Sequence, residues 1–267
     1  MQFVAARHLS TALDAKAEHP DAELLAGGTD LMVDVNLAHH RPETVIGVRG
    51  CEELLEWQDG RIGAAVPWAK LEGGRHRALA QLARTIGSPQ IRAAATLGGN
   101  VATASPAGDG IPWIAAMNGS VEMASKGRGT RLIPWDEFFV GVKETTLAAD
   151  EVITAIVVPD DIPETQEFAK VGVRNAMVIA TVSCVVARGE DGFRIALGAV
   201  APTPIRASQA EEMINAEPRV TDSALEEVAR IVSDEVRPIT DHRSTEAYRR
   251  HAAGVLARRL VQRCLAT

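Results

Sequence analysis

The chain has 267 residues, of which 46% are hydrophobic and 24% are charged, the proportions of a soluble globular protein with enough apolar material for a real core. Its formal net charge of −7 at pH 7 argues against a nucleic-acid-binding protein, which needs a basic stripe to meet phosphates. The sequence opens without a signal peptide pattern and its longest near-apolar run, 177–187, is too short to cross a bilayer, so we expect a cytoplasmic protein with no membrane span.

The cysteines and histidines exclude several kinds of site. Cys51, Cys184 and Cys264 are isolated, and no C-x-x-C pair occurs. A sparse, odd count suits a reducing cytosol, and this chain alone could not ligate an iron–sulfur cluster through cysteines. The histidines show no metal-ligand spacing, and no Ser/His/Asp set is indicated by position. We therefore expect no metal site and no catalytic residue in this chain.

The first 50 residues read as strand, helix, strand, helix, strand. A helix is predicted over 9–19, with Ser10 or Thr11 as its N-cap. A short apolar strand, 23–26, runs directly into Gly27-Gly28, and a further strand is predicted over 44–48. A strand that delivers a Gly-Gly turn to a helical segment is a phosphate-site geometry.

Residues 51 to 160 form a second unit with mixed elements. Helical patterns are broken by Ser88-Pro89, and a helix is predicted over 111–118. The predicted elements, in chain order, are a strand over 61–65, helical segments over 68–71 and 79–86, the helix over 111–118, a hairpin of 120–124 and 130–133, and a strand over 151–158.

A polar, Pro-bounded stretch, 160–164, marks the expected boundary to a C-terminal domain. Beyond it the pattern predicts strands, then helices. The strands are 167–173, 178–187 and 193–200, and the helices are 205–216, 221–236 and 244–267. The last of these helices is rich in Arg, and we favour a solvated face for its basic side chains.

Two Gly-Gly segments carry the chemistry of the sequence. Ala26-Gly-Gly-Thr-Asp-Leu31 and Thr96-Leu-Gly-Gly-Asn100 each place adjacent glycines among small polar residues. Glycine lets backbone N–H groups turn toward a ligand, and converging N–H groups form an anion site without basic side chains. Neither segment is a G-x-G-x-x-G dinucleotide fingerprint or a G-K-[ST] P-loop. Two such segments suit the diphosphate of a phosphate-bearing cofactor.

These segments and three later elements resemble the FAD-binding medium subunit of molybdenum hydroxylases, the xanthine dehydrogenase and carbon monoxide dehydrogenase family. The elements are A-G-G-T-D-L, T-L-G-G-N-V-x-x-A-S-P-x-x-D (96–109), D-E-F-F-x-G (136–141), E-V-I-T-A-I-V-V-P (151–159) and A-P-T-P-I-R (201–206), in the family's order. The last of them, with R-N-A-M (174–177), is most similar to the separate FAD subunit of bacterial xanthine dehydrogenases.

The resemblance implies an α+β chain with the PCMH-type FAD-binding fold. Two α+β subdomains, 1–50 and 51–160, would clasp FAD. A C-terminal domain, 164–267, would contain three antiparallel strands and a helical bundle.

The resemblance also implies the cofactor contacts. Residues 24–31 would bind the FAD pyrophosphate through backbone N–H groups, and Thr96–Asn100 would complete that cradle. Asp109 would accept from a sugar or ribityl hydroxyl, while Ile86, Ile153 and Lys170 would lie near the flavin. The full set of implied FAD-binding residues is Leu24, Leu25, Ala26, Gly27, Gly28, Thr29, Asp30, Leu31, Ile86, Thr96, Leu97, Gly98, Gly99, Asn100, Asp109, Ile153 and Lys170.

Two positions depart from relatives. Ile86 stands where some relatives have an aromatic residue, and Val178 stands where relatives often carry an acid beside the flavin ring. These positions bear on ring stacking, on the electrostatic tuning of the flavin and on the use of NAD as acceptor.

The function implied is electron transfer. FAD in this chain would pass electrons from 2Fe–2S clusters of a small partner subunit to an external acceptor such as NAD. A large partner subunit would hold the molybdenum cofactor, and the assembly would be a dimer of heterotrimers. The alternatives are the FAD subunit of a related aldehyde, carbon monoxide or N-heterocycle hydroxylase, a self-sufficient flavoprotein, and a non-catalytic scaffold that has lost its flavin.

Overall fold

A computed structural model describes residues 1–58, 60–175 and 177–266. The N-terminal part is a three-stranded parallel sheet with the order β1-β3-β2. Its elements are β1 (Gln2–Ala5), α1 (Leu9–Glu18), β2 (Glu23–Leu25), α2 (Leu31–Asn36) and β3 (Thr44–Gly47).

The predicted alternation of strands and helices in this part is confirmed, but the predicted N-cap of α1 is wrong. The helix begins at Leu9 after His8, which makes no side-chain capping bond. The Leu9 amide instead donates to Glu53 Oε2 at 3.1 Å. A carboxylate from a neighbouring turn therefore takes the place of the expected Ser10 or Thr11 hydroxyl.

The middle part is built on a five-stranded sheet with the order β4-β5-β10-β6-β7, in which all pairs are antiparallel. Trp68 and Trp113 are fully buried in its core. A 3-10 turn, Glu52–Leu54, precedes the elements β4 (Trp57–Gln58), β5 (Arg61–Gly63), α3 (Trp68–Leu71), α4 (Arg77–Thr85), α5 (Pro89–Ala94), α6 (Leu97–Thr103), α7 (Gly110–Ala116), β6 (Ser120–Ser125), β7 (Gly129–Pro134), α8 (Trp135–Phe138), β8 (Phe139–Gly141), β9 (Glu144–Thr145) and β10 (Val152–Val157).

Two of these helices, α5 and α6, begin at segments that the sequence pattern predicts to be a helix break and a loop. Ser88-Pro89 ends α4 as predicted, and it also starts α5, because Ser88 Oγ accepts the Ile91 amide and Pro89 occupies the first helical turn. The predicted Gly-Gly loop at Thr96–Asn100 is the first turn of α6.

The C-terminal part has an antiparallel sheet with the order β11-β12-β13-β14, covered by helices. Its longest helix packs on β12 and β11 as well as on its helical neighbour. The elements are β11 (Thr165–Val171), β12 (Val182–Gly189), β13 (Gly192–Gly198), β14 (Ile205–Arg206), α9 (Ser208–Ala216), α10 (Asp222–Glu235) and α11 (Glu246–Ala266).

The predicted α+β fold is confirmed, with two corrections in this sheet. Ile205 and Arg206, predicted as helix, form a fourth edge strand, and the Arg206 guanidinium pairs with Glu211 at 2.6 Å. β12 begins at Val182 rather than at Val178, because the carbonyl oxygens of Val178 and Thr181 accept side-chain bonds from Lys170 and Arg249 instead of joining the sheet.

The hydrophobic cores connect the three parts. The largest core joins the middle sheet and α7 to side chains of β11, β12 and β13, including Phe168, Val185 and Ala196. The N-terminal core includes Leu54, Ala65 and Val152. No helix in the described ranges is both long enough and apolar enough to cross a membrane.

Candidate cofactor site

A cavity of about 560 Å³ opens between the turn after β2 and the first turn of α6. Most of the residues implied by the sequence meet there, although they come from five different elements. Those that line it are Leu24, Leu25, Ala26, Gly27, Gly28, Thr29, Asp30, Leu31, Ile86, Thr96, Gly98, Gly99, Asn100 and Ile153. Leu97, Asp109 and Lys170 do not line the cavity.

The turn at 27–31 offers free backbone donors. Gly28 has a positive φ of 69°, which favours glycine, and its carbonyl accepts the Met32 amide at 3.0 Å. The five amides of residues 27–31 have no hydrogen-bond acceptor among the described residues. They can therefore bind an anion at no cost in existing hydrogen bonds.

Gly27 also allows the two halves of the site to approach each other. A Cβ at this position would lie 2.1 Å from the Ala94 carbonyl oxygen and 2.8 Å from Ala95 Cα. The backbone of the turn thus packs directly on the backbone that leads into α6, which only glycine permits.

Thr96–Asn100 makes a different contribution from the one expected. Its four amides from Leu97 to Asn100 already have acceptors: Val66 O, Ala64 O, Thr96 Oγ1 and Thr96 O, at 3.0–3.3 Å. These backbone N–H groups are therefore not free to complete the phosphate cradle, contrary to the expectation from the sequence.

The two glycines of this turn have separate roles. A Cβ on Gly98 would lie 2.5 Å from both Cβ and O of Ala64, so Gly98 is required for packing. Within the described part of the chain, a Cβ on Gly99 would meet only Thr96 Oγ1, at 3.1 Å. Gly99 therefore leaves ligand space at the surface of the cavity.

Asn100 presents a side-chain donor to the cavity. Its Oδ1 accepts the Gly110 amide at 3.1 Å. Because that amide can only donate, the bond fixes which end of the Asn100 amide group is oxygen. The Nδ2 group remains for a ligand.

We expect Asn100→Asp to weaken FAD binding by about tenfold or more, the equivalent of roughly 1.4 kcal/mol. The carboxylate can still accept from Gly110, so the fold is retained, but a donor is replaced by a negative charge facing an anionic ligand. Fluorescence titration of the apoprotein with FAD measures the effect. Asn118→Asp, which adds the same charge at an exposed position outside the cavity lining, is the matched control and should bind FAD normally.

Aliphatic side chains form the other wall of the cavity. β10 contains a bulge between Ile153 and Ala155, where Thr154 Oγ1 donates to Glu122 Oε1 at 2.5 Å and the Thr154 carbonyl accepts the Ala64 amide at 2.9 Å. Bulges redirect side chains beside binding sites. The aliphatic residues of the wall are Ile86, Ile91, Leu147, Val152, Ile153 and Ile179.

Several lining residues were not identified from the sequence. Ser105, Ala107 and Gly108 belong to the S-P-A-G stretch that follows the second glycine pair, so proximity in sequence was a usable signal. Ile179 gave no such signal. Its neighbour Val178, at the place where relatives often carry an acid, does not line the cavity and packs against Gly172.

Asp109 and Lys170 form a buried ion pair behind the cavity. Lys170 Nζ lies 2.5 Å from Asp109 Oδ2, and both side chains are more than nine-tenths buried. Burial raises the pKa of the Asp109 carboxyl, while the charge and hydrogen bond of Lys170 oppose that rise. Asp109 Oδ1 is buried and has no hydrogen-bond partner among the described residues. The expected contacts of Asp109 and Lys170 with FAD remain predictions.

Polar side chains surround the mouth of the cavity. His40 Nε2 lies 2.9 Å from Glu23 Oε1, and Thr103 Oγ1 donates to Asp30 Oδ2 at 3.3 Å, which joins α6 to the first turn. Within the described ranges no three His, Cys, Asp or Glu side chains are grouped so as to hold a metal ion.

Two family models match the chain. Residues 1–161 match an FAD-binding domain in molybdopterin dehydrogenase, and residues 167–264 match the C-terminal domain of the carbon monoxide dehydrogenase flavoprotein.

Individual relatives match over nearly the whole length. The chain is 30% identical to the xanthine dehydrogenase FAD-binding subunit of Escherichia coli O157:H7, over 97% of this chain and 94% of that one. It is 29% identical to the nicotinate dehydrogenase FAD-subunit of Eubacterium barkeri, over 94% and 91%. In a solved structure of carbon monoxide dehydrogenase from Hydrogenophaga pseudoflava, one chain superposes with a TM-score of 0.90 at 28% identity, covering 100% of this chain and 97% of that chain.

Proposed function

We propose that this chain, which belongs to the FAD-binding medium subunits of the xanthine dehydrogenase and carbon monoxide dehydrogenase family, holds FAD in the cavity between the two Gly-Gly segments. It would serve as the electron-transfer subunit of a xanthine dehydrogenase-like molybdenum hydroxylase. The observation that carries this proposal is the row of five free amides at 27–31, placed in a cavity that also has an aliphatic wall. The division into 1–50, 51–160 and 164–267 is part of the same proposal.

The residues of the chain fit FAD at both ends. The free amides and the positive φ of Gly28 suit a diphosphate, and the aliphatic wall around Ile86 and Ile179 suits an aromatic ring system. The bound flavin supplies the redox chemistry. The protein binds it, orients it and excludes water from it.

The partners and the electron acceptor belong to the proposal as well. A small iron–sulfur subunit would deliver electrons, and a large subunit with the molybdenum cofactor would oxidise the substrate, in a dimer of heterotrimers located in the cytoplasm. The similarity to the E. coli xanthine dehydrogenase FAD-binding subunit supports this division of labour. The acceptor would be NAD or another carrier.

Flavin content tests the proposal. Acid precipitation of the purified chain should release FAD in an amount close to that of the protein. If the preparation is colourless, incubation with FAD should restore the flavin. A colourless preparation that cannot be reconstituted would contradict the proposal.

Turnover distinguishes the electron-transfer function from a self-sufficient flavoprotein. We expect the isolated, FAD-loaded chain to oxidise purines, aldehydes and N-heterocycles at negligible rates, and co-purified partner chains to restore the activity. Substantial turnover of any of these substrates by the isolated chain would favour the self-sufficient flavoprotein instead.

A further inference from the structure

The ammonium group of Lys170 on β11 is fully used within the protein. It contacts Asp109 Oδ2 at 2.5 Å and donates to the carbonyl oxygens of Thr85 and Val178, each at 3.2 Å. An ammonium group has three donors, so these three acceptors saturate it. Only 7% of the side chain is exposed, and it does not line the cavity.

Each of the two carbonyl groups directly precedes an aliphatic residue of the cavity wall. Thr85 ends α4 and is followed by Ile86, while Val178 is followed by Ile179. The two segments are far apart in sequence. One buried side chain therefore bonds to the backbone beside both wall residues.

The third bond of Lys170 leads back to the second Gly-Gly segment. Asp109 is the residue before Gly110, and the Gly110 amide donates to Asn100 Oδ1 at 3.1 Å. A path of hydrogen bonds, joined by the peptide bond between Asp109 and Gly110, thus runs from the α6 turn through Lys170 to the backbone beside both aliphatic positions.

We propose that Lys170 is a positioning residue that fixes Ile86 and Ile179 relative to each other and to α6, and so sets the width of the slot that receives the flavin ring. The inference rests on the proposed function, because the ligand of the slot is FAD. It differs from the role that the family resemblance implies, in which Lys170 itself contacts the flavin.

The bonding pattern explains why another residue type would not serve. A neutral side chain leaves the buried Asp109 carboxylate, whose Oδ1 already lacks a partner, without a counter-charge. An Arg retains the charge, but its planar guanidinium is larger and directs its donors differently. Only a compact group with three donors at one point reaches all three acceptors from β11.

Hydrogen exchange of the flavin-free protein tests the proposal directly. In Lys170→Met, the backbone amides around Ile86 and around Ile179 should both exchange about tenfold faster or more, because both segments lose an anchor. In Asp109→Asn, which keeps an oxygen acceptor for Lys170 and leaves the two carbonyl bonds in place, the same amides should accelerate less than in Lys170→Met, although the fold loses the counter-charge of Lys170. Lys126→Met, which removes an exposed lysine paired with Asp14, is the control for the loss of a charge and should change neither segment.

The flavin spectrum provides the second readout. Lys170→Met and Lys170→Arg should both alter the vibronic shape of the bound-flavin absorption band, with the smaller change in the Arg variant. If Lys170→Met proves too unstable to purify, Lys170→Arg carries the test, since it keeps the counter-charge of Asp109.

Wild-type exchange rates in both segments of Lys170→Met would overturn the proposal. So would a Lys170→Arg variant with wild-type exchange and a wild-type spectrum, because charge alone would then account for the residue. These outcomes are separate from a failure of the proposed function, which would appear as a wild-type chain that does not bind FAD.

Discussion

The substitution Gly99→Val is expected to yield a folded chain that does not retain FAD. The direction of a side chain at Gly99 is open except for Thr96 Oγ1 at 3.1 Å, and Gly99 lines the cavity. The added isopropyl group therefore enters ligand space rather than the protein core. We expect the affinity for FAD to fall by about a hundredfold or more, the equivalent of roughly 2.7 kcal/mol, as measured by titration and by the flavin content of the purified variant.

Two other glycines control for effects that are not specific to the cavity. Gly73→Val introduces the same group outside the cavity lining, at a position where no atom of residues 1–58, 60–175 or 177–266 lies within 4 Å of the added Cβ, so it should retain FAD. Gly98→Ala places a methyl group against Ala64 and should lower the melting temperature as well as flavin content. A Gly99→Val variant with its full flavin complement would show that the space beside Gly99 is not occupied by FAD.

The substitution Arg249→Met is expected to destabilise the fold by about 3 to 5 kcal/mol, the typical cost of removing one partner of a buried ion pair. Arg249 is 4% exposed. Its guanidinium donates to Thr181 O at 2.7 Å, Ala199 O at 2.9 Å and Asp241 Oδ1 at 2.8 Å. Urea unfolding measures the loss.

The same substitution should also weaken FAD binding, through the loop at the cavity. Ala199 has a positive φ of 62°, and its amide donates at 2.7 Å to Pro106 O, beside lining residues Ser105 and Ala107. Arg230→Met, at an exposed Arg with ion pairs to Glu227 and Asp234, is the matched control and should cost less than about 1 kcal/mol. Equal losses of unfolding free energy in Arg249→Met and Arg230→Met would contradict a stabilising role of Arg249.

The pH dependence of that destabilisation follows from Asp241. Burial acts to raise the pKa of the Asp241 carboxyl. This effect is outweighed by hydrogen bonds from the Arg243 amide, the Arg249 side chain and the Ser244 amide, together with the positive charge of Arg249. The net result is a pKa lowered to about 2. In the unfolded chain an Asp has a pKa of about 3.9. The stabilisation is therefore present above about pH 4 and is lost as the pH falls toward 2. We expect the difference in unfolding free energy between wild type and Arg249→Met to shrink over that range. A difference that grows on acidification would contradict this assignment.

The features that the sequence predicts well are those decided locally. The strand that ends in Gly27-Gly28 is one, because a turn with a positive φ and a close backbone approach needs glycine whatever surrounds it. The hairpin between β6 and β7 and the break at Ser88-Pro89 are decided by turn chemistry within a few residues.

The features that the sequence does not predict depend on distant partners. The second Gly-Gly segment has the composition of an amide cradle, yet its Leu97 and Gly98 amides are taken by carbonyl groups of residues 64 and 66. Nothing within the segment shows this. What remains for a ligand is space at Gly99 and the Asn100 side chain.

Charged side chains show the same limit. Lys170 on β11 bonds to Asp109 and Thr85, which are distant in sequence. Arg249 lies in a helix whose Arg residues were expected to be solvated, but it is buried and donates to the carbonyl groups of Thr181, just before β12, and Ala199, just after β13. Ile205 and Arg206 become an edge strand because they pair with Leu197 and Ala196 of β13. Each outcome depends on tertiary packing, which overrides local pattern.

The most direct test of the account is a crystal structure of the FAD-loaded chain. We expect diphosphate oxygens about 2.7–3.2 Å from backbone nitrogens of residues 27–31, with the amides of 97–100 still bonded to their present protein acceptors. This expectation would be contradicted by a diphosphate bound away from the 27–31 turn, or by an α6 turn that gives up its internal hydrogen bonds to hold the phosphates.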